Sequence, residues 1–104
     1  MDTNKQFKKV LKERLKKIEE TLSKKEKEYA LKDRRYHNFD IAARMNGLTA
    51  EAALWGMVSK QIVSVMDMIY DPKTITEELV NEKIGDVINY MILLEGIMKR
   101  RLKQ

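Results

Sequence analysis

One proline, Pro72, and one Asn-Gly pair, Asn46-Gly47, are the strongest breaks in a 104-residue chain whose apolar residues otherwise recur at helical spacing. That pattern restricts the chain to helices joined by short connections. Residues 5–35 contain neither Gly nor Pro. Within them Leu11 and Ile18 follow a seven-residue step, as do Leu15, Leu22, Tyr29 and Tyr36, with Lys25 and Lys32 interrupting one row. This is a narrow apolar seam on a charged helix, about 45 Å long at about 1.5 Å per residue. Such a rod cannot bury its seam against itself; it needs the rest of the chain or a second copy. Asn38 can cap a short helix that Asn46-Gly47 ends, since both of those residues tolerate a left-handed backbone. Thr49 can cap the next helix, with Glu51 in its first turn, and Asp71-Pro72 stops it near Tyr70. Thr74-Ile75-Thr76-Glu77 fits the S/T-x-x-E capping box and starts a last helix that runs to about Lys103. A connection of about four residues makes the two long helices antiparallel neighbours. The expected fold is therefore all-α: a long antiparallel hairpin, a basic N-terminal helix and a short connecting helix, assembled as an oligomeric bundle. It is one domain, with residues 1–35 a basic arm and residues 36–104 the helical core.

The net charge of +5 conceals a division along the chain. Residues 1–35 carry 13 Lys and Arg against 7 Asp and Glu, a net of +6. Residues 36–98 carry a net of −5, and the last six residues a net of +4. Basic ends suit a polyanion, and Lys8, Lys9, Lys12, Lys16 and Lys17 are the residues that would contact nucleic acid. A solvated helix face explains the arm better than a polyanion does, because acidic residues are mixed among these lysines. The absence of Cys excludes a disulfide scaffold, a zinc ribbon and a thiol nucleophile. The longest uncharged stretches, residues 52–59 and 87–94, are far shorter than the roughly 20 residues of a membrane span. With no apolar segment after the first lysines, no secretory signal is expected, and the location expected is the cytoplasm.

Both long helices of the hairpin are apolar over most of their circumference. On the first, Trp55, Val58, Ile62, Val65, Met66 and Ile69 form one stripe, leaving a polar strip of Lys60, Ser64, Asp67 and Asp71. On the second, Val80, Ile84, Val87, Met91, Leu94 and Met98 form the core stripe, and Glu78, Glu82, Asp86 and Asn89 lie roughly opposite. A polar strip on such a helix is either its wet face or an enclosed site. If the strips meet around a ligand, Glu78, Glu82 and Asp86 gather hard oxygens for Mg²⁺ and Lys60 holds a phosphate. Ser64, Asp67 and Asn89 would complete the ligand site. The single His37 makes neither a zinc site nor a triad and fits a local turn contact. The seven Met residues fit adaptable core or interface filling, and Gly85 and Gly96 fit close helix approach.

Three stretches carry a family resemblance. They are residues 36–39 (Tyr-His-Asn-Phe), residues 54–67 (Leu-Trp-Gly-Met-Val-Ser-Lys-Gln-Ile-Val-Ser-Val-Met-Asp) and residues 82–90 (Glu-Lys-Ile-Gly-Asp-Val-Ile-Asn-Tyr). They resemble small phage-encoded proteins of the nucleotide modification associated family, which are in turn similar to the all-α MazG-like nucleoside triphosphate pyrophosphohydrolases. The resemblance covers about residues 36–98. In the MazG-like enzymes an E-x-x-E pair on one helix and an E-x-x-D pair on the next bind Mg²⁺. Here Glu82 and Asp86 stand one residue further apart, and Lys83 takes the place of the expected Glu. On the preceding helix Lys60, Ser64 and Asp67 occupy the other pair's region. The resemblance thus carries over Asp86 as a metal ligand, with Glu82 as a displaced substitute. It implies nucleotide binding with or without turnover. The expectations are a nucleotide-handling phage protein, a counter-defence protein that sequesters a signalling nucleotide or blocks a host protein, or a nucleic-acid binder. No membrane is expected among its partners.

Overall fold

Helix ends in this chain are fixed by hydroxyl and carboxylate caps, and the computed structural model, which describes residues 2–24 and 35–104, places them one by one. Asp2 accepts the amides of Asn4 and Lys5 at 3.1 and 3.2 Å and so opens α1, Thr3–Lys24. The further seam positions Lys25, Tyr29 and Lys32 lie outside the described residues. The short helix α2 is His37–Asn46. It begins two residues earlier than a cap at Asn38 requires, on Tyr36, whose side chain makes no cap hydrogen bond. It ends on Gly47 at φ 65°, the left-handed conformation that glycine adopts without penalty. Thr49 accepts the amide of Ala52 at 3.1 Å and opens α3, Ala50–Tyr70. Asp71-Pro72 closes that helix and leads through a single 3₁₀ turn, Pro72–Thr74.

The last helix, α4, differs from its sequence expectation in two ways. Thr74 does not cap it; its hydroxyl donates to the carbonyl of Asp71 at 2.8 Å, and Thr76 accepts the amide of Leu79 at 3.1 Å instead. Two threonines two residues apart can both cap, and the tight turn after Pro72 uses the first. Moreover, α4 is not uniformly wound. It is α-helical over Glu77–Leu79, π-helical over Val80–Ile84 and α-helical again over Gly85–Leu102. At the π segment α1 docks: Arg14 donates to the carbonyl of Asn81 at 3.2 Å. A side chain on Gly85 would overlap the same guanidinium.

The described residues form an all-α arrangement in which α3 and α4 make the antiparallel hairpin, α2 covers one end and α1 lies along α4. The core sits among α2, α3 and α4. Leu54, Val58 and Ile97 are its fully buried centre, with Phe39 and Ala50 beside them. Phe39 meets Tyr90 edge to face, centroids 6.4 Å apart. By contrast the first half of α1 projects, with Phe7, Val10, Leu11 and Leu15 exposed. The radius of gyration is 16.1 Å, against about 13 Å for a compact chain of this length. Among the described residues no helix is long and apolar enough to cross a membrane.

The basic C-terminal residues turn out to be structural clamps. Arg100 binds Asp40 of α2 through both its terminal nitrogens, at 3.0 and 2.7 Å, and lies 5.0 Å from the centroid of the Tyr36 ring. Arg101 grips Glu51 of α3 in the same two-pronged way. Lys99 pairs with Glu95 at 2.7 Å one turn earlier. Hydrogen bonds from Arg100 and Arg101 hold the carboxyls of Asp40 and Glu51 below the usual carboxylate range. A folded-state value below the unfolded one means stability that is complete above the unfolded value, about 4, and lost as pH falls through the folded value. The urea midpoint is therefore expected to fall below about pH 4, and Asp40→Asn should flatten that fall while lowering stability at pH 7 by about 1–2 kcal/mol.

Tyr36 is pinned on its other side by Gly96: a side chain at that position would overlap the Tyr36 hydroxyl and ring. The close approach expected of the two helical glycines is therefore made by side chains, Arg14 at Gly85 and Tyr36 at Gly96, rather than by a second backbone. A planar ring in a packed setting has less room to yield than the end of an arginine. Gly96→Ala is expected to cost about 1–3 kcal/mol in chemical denaturation, more than Gly85→Ala.

Candidate functional site

A cavity of about 280 Å³ opens between the four helices of the described residues. Thr21 and Leu22 come from the end of α1, Arg35 from the turn before α2, Asn38 and Phe39 from the start of α2, Met57 and Gln61 from α3, and Asp86, Asn89, Tyr90 and Leu93 from α4. Its volume is near the lower bound of small-molecule sites, which run from about 300 to 1,000 Å³. One side is apolar and aromatic, Phe39, Met57, Tyr90 and Leu93. The other offers a carboxylate, three carboxamides, a hydroxyl and a guanidinium. Arg35 donates to the carbonyl of Leu22 at 3.0 Å, which ties the turn before α2 to the cavity's α1 wall.

Two of these groups decide what the cavity is. The side-chain oxygens of Gln61 and Asn89 are sealed from solvent and have no hydrogen-bond partner. Each such group costs about 1–3 kcal/mol when left unsatisfied. Folding places both on the walls of one cavity, on two helices that face each other. Gln61 arrives there because it continues the buried face of α3, at the step of three that follows Leu54 and Val58 and precedes Met68 seven residues on. Asn89 follows Asp86 by one turn on the regular part of α4.

The residues expected from sequence divide into two groups. Asp86 and Asn89 are brought together in the cavity. Lys60 and Asp67 are exposed on α3, and the Ser64 hydroxyl donates to the carbonyl of Lys60 at 3.2 Å, so this strip is a wet helix face. Glu78 and Glu82 are exposed and outside the cavity; Glu82 stands 3.6 Å from Lys83. Glu82 lies within the π segment, which separates Glu78 from Asp86 and resets the phase that a fixed step of four assumes. Among the described residues no three His, Cys, Asp or Glu side chains converge to hold a metal ion. Lys8, Lys9, Lys12 and Lys16 are exposed on α1, Lys17 is half-buried, and Lys9 stands 3.9 Å from Glu13. His37 is exposed at the start of α2.

Sequence reasoning missed Gln61, Asn38, Thr21, Arg35 and Tyr90 as site residues. Gln61 did carry a signal, being the polar residue on the buried face of an otherwise apolar helix. Thr21, Arg35 and Asn38 join the site only through the packing of α1 and α2 on the hairpin, while Tyr90 neighbours Asn89 on α4. No family model matches the chain, and neither the curated proteins nor the solved structures yield a match.

Proposed function

We propose that the protein binds a nucleotide, with its base in the cavity between α1 and the hairpin. The observation that carries this reading is the pair of partnerless amides, Gln61 and Asn89, on facing walls. A carboxamide offers a donor and an acceptor side by side, the pattern that the edge of a nucleobase complements. The aromatic wall supplies a flat apolar surface, and Asp86 accepts from an exocyclic amine or a sugar hydroxyl. Glu78, Glu82 and Asp86 do not fit a resident three-carboxylate Mg²⁺ site, because only Asp86 lines the cavity. Mg²⁺ enters this reading as part of the ligand, brought by the phosphates, with Asp86 as the protein's contribution. The resemblance to the nucleotide modification associated and MazG-like families points the same way.

The biological role that fits is a phage protein acting in the host cytoplasm as a homo-oligomer. It would handle the nucleotide as a pyrophosphohydrolase relative, or hold a signalling nucleotide away from a host defence protein. Incubation with a panel of nucleotides separates these: release of pyrophosphate marks turnover, and recovery of the ligand unchanged after denaturation marks sequestration. A panel in which no nucleotide is bound removes both. The exposed lysines of α1 favour a second reading, nucleic-acid binding. It requires DNA or RNA affinity that falls steeply with salt and that neutralising Lys8, Lys9, Lys12, Lys16 and Lys17 reduces.

A further inference from the structure

The back of α3, turned away from the core, is the most apolar exposed surface of the hairpin. Val63, Met66 and Tyr70 are 54%, 46% and 80% exposed, and Trp55 and Ile69 beside them are more than half exposed. Their order on the helix is regular. Gly56, Ser59, Val63, Met66 and Tyr70 alternate at steps of three and four, the seam of a two-helix coiled coil. Gly56 has nothing within 4 Å of where a side chain would stand, so the monomer gives no reason for a glycine that weakens an exposed helix. A backbone packed against the seam does give one. The seam spans about 23 Å at about 1.5 Å per residue, long enough for four layers of contact.

The charges that flank the seam identify its occupant. Lys60 and Asp67 occupy the same flank position in successive heptads, and both are exposed. In an antiparallel pair of α3 helices, related by a two-fold axis near Val63 and Ser64, Lys60 of each copy falls beside Asp67 of the other. A contact between i and j is then repeated between j and i, as an isologous interface requires. The other flank of the seam, formed by Trp55, Ile62 and Ile69, carries no charge, so apolar side chains of the two copies meet there. A parallel pairing would set Lys60 against Trp55 and Asp67 against Ile62, which leaves both charges unpaired. We infer that this seam binds a second copy of the chain, antiparallel and through α3, making α3 the dimer interface. Lys60 and Asp67 thereby become the residues that fix its register, and the inference does not depend on the nucleotide reading.

Sedimentation of the full chain at micromolar concentration tests it. The expected species is a dimer. Met66→Lys should dissociate it, while Met45→Lys, at an exposed methionine away from the seam, should not. Lys60→Asp should raise the dimer dissociation constant at least about tenfold, and the double exchange Lys60→Asp with Asp67→Lys should recover most of that loss. The rescue separates a register contact from a general loss of solubility or folding. Three results overturn the inference. They are a wild-type monomer, a dimer indifferent to Met66→Lys and Lys60→Asp, and a dimer dissolved only by Leu11→Lys and Leu15→Lys, which would place the interface on α1.

Discussion

Replacing Gln61 and Asn89 together by leucine is expected to stabilise the free protein and to abolish nucleotide binding. In the free chain each sealed amide oxygen forgoes the hydrogen bonds it makes to water when unfolded, at about 1–3 kcal/mol apiece. Leucine is of similar bulk and carries no polar group. The double variant should therefore unfold with a free energy raised by about 2–6 kcal/mol, read from the urea midpoint at constant slope. Nucleotide affinity should fall at least about 100-fold, because two recognition groups are lost at once. Opposite movement of stability and affinity is the signature of groups retained for binding rather than for folding. A destabilised double variant would mean that the two amides serve the fold.

Leu54→Ala is expected to cost about 2–5 kcal/mol, the range for deleting a fully buried leucine from a packed core. Leu54 is wholly inaccessible, together with Val58 and Ile97 it forms the centre of the core, and its neighbours from α2 and α4 cannot all follow it inward. Leu15→Ala on α1 should change stability by less than about 0.5 kcal/mol, since Leu15 is 56% exposed. Both are leucines on long helices, and only their packing separates them. Urea unfolding of the two variants side by side measures that difference. Equal losses would show that α1 is as much a part of the core as α3.

Local chemistry made much of this fold legible. Gly47, Thr49 and the Asp71-Pro72 pair act within one turn of themselves, and the helix ends that they dictate are where the structure has them. Thr76 was hidden behind Thr74 because both are competent caps, and the choice rests on the turn after Pro72. Features made by distant contacts were not legible. The π segment of α4 is joined to Arg14, 67 residues earlier in the chain. Arg100 reads as part of a basic tail until Asp40, 60 residues away, takes both of its terminal nitrogens. The same holds for the site. Asp86 and Asn89 stand out as polar residues on an apolar helix, and Gln61 does so on α3. Thr21, Arg35 and Asn38 come from segments whose positions no local pattern specifies. Glu78, Glu82 and Asp86 have a regular spacing in the sequence that the winding of the helix over Val80–Ile84 does not keep.

Isothermal titration of the full chain with nucleoside triphosphates in the presence of Mg²⁺ tests the binding site most directly. Saturable binding of at least one of them at one per chain is expected, lost when Gln61 and Asn89 are both leucine. No measurable heat with any nucleotide, or equal binding by the wild type and the double variant, would contradict it.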